Sequence, residues 1–398
     1  MSEPGRGHGA ARAGGALALL ALLAGGCPRA EPAGQSAARP VPAQAAPAGP
    51  TDALAAGGAA GARAAAALDR LVRARCLDPN EPWALTHALL CYGRDLEVGG
   101  ASAVDLLARG LDPGTLRFPK GTPQRPVEPH PGMIAKTVLE AGVPPERTVA
   151  LPDGASSTWG AVAAAQAAAY TPSAAPVPLR DQAWLLELAA ATRDPRSGVL
   201  AGKALKVLAE NQAYFQAYAD DPQRAYDKPH ELDPQGRPRP VAIHRYFCGG
   251  FHLFQAVQRL HGGAAPPELA AQYRLVWTRL ERETAYWRSK LAQARQRAEG
   301  PDLQRHERLI LSQLLKLQGH ALETVLRAYR AGALPLSAED RARVDAGFGA
   351  LAQTVADLEA CGALDALDAI RQANPQLYLD LVGDGAHALH AFMLARGA

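Results

Sequence analysis

The chain has 398 residues, of which 48% are hydrophobic and 20% are charged, with 42 Lys and Arg residues against 39 Asp and Glu residues. The formal charge of +3 is small and no segment is strongly basic, which argues against a nucleic-acid partner, because such proteins usually carry a clustered basic face. Alanine is abundant, whereas aromatic residues make up only 6% of the chain. Since alanine has the lowest free-energy cost in a helix, this composition favours an all-α protein.

Residues 1–26 have the pattern of a secretory signal peptide. Arg6 and Arg12 precede an uninterrupted apolar run over 16–24, which is too short to span a bilayer. The run leads into Leu23-Ala-Gly-Gly-Cys27, which resembles the lipobox of bacterial lipoproteins. The resemblance implies cleavage before Cys27, its modification with diacylglycerol and palmitate, and a lipid anchor in the membrane of a bacterial cell envelope.

Residues 27–65 are predicted to form a disordered tether. The segment is rich in Pro, Ala and Gly and has few bulky apolar side chains, so it cannot bury enough surface to offset the entropy lost on ordering. Pro28 stands where an Asp would retain a lipoprotein in the inner membrane. This favours the outer membrane, with the protein on the periplasmic side.

Apolar residues recur with a period near 3.6 from residue 66 to the end, which predicts a single all-helical domain over 66–398. Helices are predicted at 66–75, 82–92, 102–109, 131–141, 156–169, 180–192, 198–218, 245–262, 267–298, 303–331, 337–360 and 377–396. Short extended pieces are predicted at 111–118 and 147–152, and the alternating charges of 279–308 predict a solvated helix face. Roughly a dozen helices without a fixed-period repeat leave a bundle, a solenoid or an α/α toroid.

Histidines placed within, or just before, apolar helices are the most informative feature of the sequence. They are His87, His130, His252, His320, His387 and His390. A buried imidazole is costly unless both ring nitrogens find partners, and a lone example is usually a core residue whose partners are local. Several such residues on separate helices instead predict one shared cavity, with Cys248 at its edge.

Short motifs around these histidines resemble those of a family of uncharacterised bacterial proteins. They are Trp83-Ala-Leu-Thr-His87, Gly93-Arg94-Asp95, His130 before a helix ending in Ala141-Gly-Val-Pro144, Cys248-Gly-Gly-Phe251-His252, Gln318-Gly-His320 with Leu322-Glu323, and Gly385-Ala-His387-Ala-Leu-His390. They follow the family's order over residues 80–395, although Phe251 stands where the family has Thr. The resemblance implies the α/α toroid of terpene cyclases and protein prenyltransferases, and it implies no reaction. In a complete or incomplete ring of helical hairpins, the cavity candidates would be His87, His130, Cys248, His252, His320 and His387.

Two functions are consistent with such a cavity. One is a lipid-anchored envelope protein that binds an unknown small molecule or peptide without chemistry. The other is a hydrolase or lyase that uses histidine for acid–base catalysis, or a metal. No cofactor is required by the first function. Zinc is the alternative for the second, with Cys248, His252 and His320 as its candidate ligands, although no acidic partner for them stands out in the sequence.

The cysteines of the predicted domain are widely separated, at Cys76, Cys91, Cys248 and Cys361. An exported protein can form disulfides, but four cysteines allow three pairings and the spacing selects none of them.

Overall fold

The computed structural model describes residue 50 and residues 52–122, 124–168, 183–216 and 247–397, and the predicted signal peptide, Cys27 and most of the predicted tether lie outside them. The described part of the chain is all-α, with thirteen α-helices. They are α1 (Gly58–Cys76), α2 (Pro82–Tyr92), α3 (Ala103–Ala108), α4 (Met133–Glu140), α5 (Trp159–Ala167), α6 (Ala183–Ala191), α7 (Ser197–Gln216), α8 (Phe251–His261), α9 (Pro267–Arg297), α10 (Gly300–Arg330), α11 (Ala338–Ala360), α12 (Leu367–Ala373) and α13 (Pro375–Arg396). None of the helices in these ranges is both long and apolar enough to cross a membrane.

Two small antiparallel sheets interrupt the helices of the described ranges. One pairs β1 (Glu97–Val98) with β2 (Ala101–Ser102), and the other pairs β3 (Thr148–Ala150) with β4 (Ser156–Thr158). The predicted extended piece at 147–152 coincides with β3, whereas β4 was predicted as the start of a helix. The helix starts later because Thr158 is its N-cap, with the Thr158 hydroxyl oxygen accepting a hydrogen bond from the Ala161 N–H at 3.2 Å.

Six helices contact one another in a closed cycle, in the order α2, α4, α6, α8, α10, α13 and back to α2. The helices between them in the chain pack against these six: α5 contacts α4 and α6, α7 contacts α6 and α8, and α11 contacts α10. This alternation is compatible with the ring of helical hairpins expected from the sequence. The six helices of the cycle are called the inner helices below.

Small residues bring α10 and α13 close together. A Cβ atom added to Gly319 on α10 would lie only 3.0 Å from the Cβ atom of Ala388 on α13. Because neither residue has a larger side chain, the two backbones approach closely, and the rings of His320 and His387 lie with their centres 4.0 Å apart.

The helical body begins before the boundary predicted at residue 66. Helix α1 starts at Gly58, and the segment before it is held by the rest of the chain: the Leu54 N–H donates to the Ala395 carbonyl at 2.8 Å, and Asp52 accepts hydrogen bonds from Tyr329 and Arg341. Residues 52–65 therefore belong to the packed structure and not to the tether.

Candidate functional site

A cavity of about 570 Å³ is lined by residues from all six inner helices. Five of the six cavity candidates line it, namely His87, His130, Cys248, His252 and His387. The sixth, His320, lies behind the wall and is fully buried, with its ring centre 5.1 Å from that of His252. The tertiary structure thus brings all six together, whereas His390 does not line the cavity. Their role in function stays a prediction.

Cys248 lies in a tight turn ahead of α8. The 3₁₀ turn Phe247–Gly250 has three successive residues in the left-handed region, with φ of 50° at Cys248, 63° at Gly249 and 80° at Gly250. Glycine adopts this conformation without strain, whereas for cysteine it costs roughly 1–2 kcal/mol. The turn takes Cys248 off the helix that carries His252, so the two residues do not share a helix face. They meet because the turn folds Cys248 back over the cavity.

A buried ion pair supports this turn from behind. The Arg279 Nη1 donates to the Gly249 carbonyl at 3.0 Å, and the Arg279 Nε donates to Glu283 at 2.7 Å. The guanidinium also lies 4.7 Å from the centre of the Phe251 ring. Arg279 and Glu283 are 0% and 3% exposed, so the prediction of a solvated face over 279–308 is wrong at its start, because their charges neutralise each other in the interior.

The hydrogen bonds of His252 fix its tautomer. Its Nδ1 lies 3.1 Å from Oε1 of Gln255, and Nη1 of Arg327 donates to the same Gln255 atom at 2.7 Å. An arginine has only donors, so the shared atom must be the amide oxygen, and His252 must donate from Nδ1. The lone pair of His252 is therefore on Nε2.

His320 has the opposite arrangement. Its Nε2 lies 3.1 Å from Oδ1 of Asp384, and a carboxylate only accepts, so the proton is on Nε2. The other ring nitrogen, Nδ1, is buried and has no hydrogen-bond partner among the described residues. Burial alone would lower the pKa of His320, but Cys248 and Asp384 raise the pKa to about 10. Without a metal ion the ring therefore also carries a proton on Nδ1, which a metal ion at Nδ1 would displace. His320 Nδ1 and the nearby thiol of Cys248 therefore form a polar group next to the cavity.

Glu323 is the hydrogen-bond acceptor shared by two histidines of α13. Its two carboxylate oxygens accept from Nδ1 of His387 at 2.8 Å and from Nδ1 of His390 at 2.7 Å. Burial opposes ionisation of Glu323, yet these two donors hold the pKa of Glu323 well below its usual range. Burial lowers the pKa of His387, which leaves a neutral ring whose Nε2 carries the lone pair.

His87 and His130 both line the cavity. His87 donates from Nδ1 to the Trp83 carbonyl at 2.7 Å, within its own helix, and its ring meets that of His387 edge-on at 5.6 Å. His130 is stacked on Trp184, with the ring planes 5° apart and the ring centres separated by 4.2 Å. Both residues thus form part of an aromatic wall.

Three donors converge closely enough to hold a metal ion. The donor atoms of Cys248, His252 and His320 all lie within 4.8 Å of one another. In a tetrahedral zinc site with bonds of 2.0–2.3 Å the donors are about 3.3–3.8 Å apart, so small inward movements would complete the geometry. His252 donates its other ring N–H to Gln255, and His320 donates its other ring N–H to Asp384. Metal-bound histidines almost always make such a second hydrogen bond.

A second group of possible ligands is His320, Glu323 and His387, whose donor atoms are equally close. It fits a metal less well, because both oxygens of Glu323 already accept hydrogen bonds from histidines. All three of its residues are also buried, whereas Cys248 in the first group is half-buried and lines the open cavity.

The acidic and amide partners of the site were missed from the sequence. Gln255 lies three residues after His252 on α8, a spacing that places both on one face, so this partner could have been found. Asp384 accepts a hydrogen bond from His320, and Glu323 accepts hydrogen bonds from His387 and His390. In each case the acceptor and the histidine lie on different helices. Only the packing of α10 against α13 brings them together, so the fold supplies acidic partners that do not stand out near the motifs in the sequence.

A buried network of four charges lies behind Gln255. Lys136, which lines the cavity, pairs with Glu140 at 2.6 Å and with Glu187 at 3.7 Å. Arg327 pairs with the same two carboxylates, at 3.5 Å from Glu187. Two positive and two negative groups balance in the interior, so Arg327 is held in place against Gln255.

Comparisons with protein-family models, with curated proteins and with solved structures find no match to this chain. The four cysteines of the described residues, including Cys248, are all free thiols, so Cys248 is available as a ligand.

Proposed function

We propose that the cavity holds a transition metal ion on Cys248 Sγ, His252 Nε2 and His320 Nδ1, and that the metal is zinc. The observation that carries the proposal is the convergence of three donors within 4.8 Å at a point where His320 Nδ1 is buried without a hydrogen bond, with Glu323 no nearer than 3.8 Å. A buried unpaired nitrogen costs about 1–3 kcal/mol, and a metal bond would remove that cost. One thiolate and two imidazoles form a donor set typical of zinc.

The function supported best is metal-assisted catalysis by a hydrolase or a lyase. Three protein ligands with the remaining side open to a cavity are the pattern of catalytic zinc sites, whereas structural sites have four protein ligands. A zinc ion at such a site polarises a carbonyl oxygen and lowers the pKa of a bound water. The cavity of about 570 Å³ is of a size that holds a small molecule or a short peptide. We therefore favour an enzyme over a protein that binds its ligand without chemistry.

The place proposed for this activity is the periplasmic face of a bacterial membrane, with the outer membrane favoured. Support comes from the sequence, through the short apolar run, the lipobox-like residues before Cys27 and Pro28 after it. The closed cycle of inner helices likewise supports the proposal of an α/α toroid.

Metal analysis of the purified chain tests the proposal. The full chain carrying Cys27→Ser, which prevents acylation, is expected to contain about one zinc per molecule by mass spectrometry. Replacing zinc with cobalt should give a thiolate charge-transfer band that Cys248→Ser abolishes. The matched control is Cys361→Ser, since Cys361 is a half-buried cysteine outside the cavity lining. Absence of a bound transition metal, or a cobalt spectrum unchanged by Cys248→Ser, would contradict the proposal.

A further inference from the structure

A second polar cluster lines the same cavity beside the proposed metal site. It consists of Lys316 on α10 with Asp380 and Asp384 on α13. Lys316 Nζ lies 3.1 Å from Oδ2 of Asp380 and 3.8 Å from Oδ2 of Asp384. The two aspartates are four residues apart and so share one helix face.

With His320 neutral, as it must be when Nδ1 binds a metal ion, the cluster has one more negative charge than positive. The side chains of Lys316, Asp380 and Asp384 are only 22%, 19% and 6% exposed, so water does little to offset the imbalance. Lys316 is the only ammonium group within 4 Å of either carboxylate among the described residues, and the other donors are the Gln376 amide, 2.8 Å from Asp380, and the His320 ring, 3.1 Å from Asp384. A buried carboxylate without a full complement of partners is costly, which favours a ligand that brings a positive charge.

One oxygen of Asp384 accepts no hydrogen bond from the described residues, although Lys316 Nζ lies 3.8 Å away. Oδ1 of Asp384 accepts the hydrogen bond from His320, whereas Oδ2 is buried and has no hydrogen-bond partner among the described residues. Asp384 lines the cavity, and Oδ2 is covered at 3.8 Å from Lys316 Nζ, so a ligand reaches this acceptor once the lining side chains shift. The unsatisfied oxygen therefore points to a ligand group that donates a hydrogen bond.

The position of the cluster relative to the metal donors narrows the ligand class. His320 is shared by the two sites, because Nδ1 belongs to the proposed metal site and Nε2 donates to Asp384. The proposed metal ion would bind a carbonyl oxygen of the ligand. On the other side of the His320 ring, the Asp384 carboxylate could bind a cationic group of the same ligand. An α-aminoacyl group carries a carbonyl oxygen and an ammonium group three bonds apart, which is a complementary pair.

We propose that the Lys316–Asp380–Asp384 cluster binds the free α-ammonium group of an aminoacyl substrate, such as an amino-acid amide or a peptide with a free amino terminus. The inference rests on the proposed metal site and names the substrate class of that site. The exposed lining residues Lys120 and Gln376 leave the cavity open, so the rest of a longer substrate can extend outwards.

Two hydroxamates that differ only at the amine provide the test. Leucine hydroxamate and N-acetyl-leucine hydroxamate carry the same metal-binding group, and calorimetry on the zinc-loaded full chain with Cys27→Ser measures both affinities. We expect the free amine to bind about tenfold or more tightly, since a charged hydrogen bond is formed only with it. Asp380→Asn, which removes one charge away from the metal donors, should abolish the preference. Gln313→Ala is the control, because Gln313 also lines the cavity on the helix of Lys316, and it should keep the preference.

Equal affinity for the two hydroxamates, tighter binding of the acetylated one, or a preference that survives Asp380→Asn would overturn the inference while leaving the metal site intact. If the chain holds no metal, the proposed function and this inference fall together. If zinc is bound but neither hydroxamate binds, only the inference is overturned, so the two failures are distinguishable.

Discussion

Nε2 of His320 lies 3.1 Å from Oδ1 of Asp384, although the two residues are 64 positions apart. Because this hydrogen bond occupies Nε2, Nδ1 is the ring nitrogen of His320 that could bind a metal ion. It also ties the proposed metal site on α10 to the acidic cluster on α13, so the two sites cannot move independently.

Removing the acceptor next to His252 should weaken metal binding. Gln255→Met keeps the length of the side chain but leaves His252 Nδ1 and Arg327 without the shared oxygen. Loss of such a partner typically lowers metal affinity about 10–100-fold, which a competition titration with a chromophoric chelator would measure. Gln255→Glu is the matched variant, since its carboxylate accepts from both groups and should retain or increase the affinity. Equal zinc affinity for the Met and Glu variants would show that Gln255 does not position His252.

Weakening Asp384, which accepts the hydrogen bond of His320, should also lower the affinity for zinc. Asp384→Asn replaces a carboxylate by an amide, which gives a weaker acceptor to the His320 N–H and should lower zinc affinity about tenfold or more. Asp380→Asn, four residues earlier on the same face, makes no contact with His320 and should bind zinc as the wild type does. A similar loss in both variants would mean that the effect comes from net charge and not from the hydrogen bond.

The close contact between α10 and α13 should tolerate no added side chain at Gly319. In Gly319→Ala the new methyl group would lie 3.0 Å from the Cβ of Ala388 and 3.2 Å from its backbone, so the helices must separate, at a cost of about 1–3 kcal/mol in unfolding free energy. Gly349→Ala on α11 is the control, because no atom lies within 4 Å of the added Cβ and the helix gains about 0.5–1 kcal/mol. Urea denaturation would measure both changes, and a neutral or stabilising Gly319→Ala would contradict the close packing.

Glu128 should make stability depend on pH. Its carboxylate accepts a hydrogen bond from the Ile134 N–H at 2.9 Å, yet burial raises the pKa of Glu128 from 4.5 to about 7. The folded state then holds the proton over a range where the unfolded chain has lost it. The stabilisation is complete below pH 4.5 and is lost as the pH rises through 7, because the unfolded state binds fewer protons there.

Glu128→Gln removes this titration but keeps the accepting oxygen. Its unfolding free energy should match that of the wild type near pH 4.5 and exceed it by up to about 3 kcal/mol at pH 8. A difference between the two proteins that stays constant from pH 4.5 to pH 8 would be evidence against a raised pKa.

Acylation of Cys27 is tested by phase partitioning after expression in a bacterium. The wild type should enter the detergent phase, whereas Cys27→Ser should stay in the aqueous phase, because the apolar run before it is too short to anchor the chain. If both proteins stay aqueous and are cut to the same mature end, the lipoprotein prediction is wrong.

Local sequence determined the positions of most helices, since apolar periodicity and the Pro and Gly breaks act over a few residues. Helix α2 lies at 82–92 as predicted, and α9 differs from its prediction by a single residue. The helix over 367–373 was missed, because it is short and its apolar face is narrow.

The sequence by itself also determined that several polar rings would have to be accommodated in apolar helices. Only the tertiary structure decided which partners they have. His320 meets Asp384, and His387 meets Glu323, through the contact of α10 with α13, and a small rotation of either helix would change both pairs. Helix formation depends on neighbours along the chain, whereas these pairs depend on how closely Gly319 lets two distant segments approach, which no local pattern encodes.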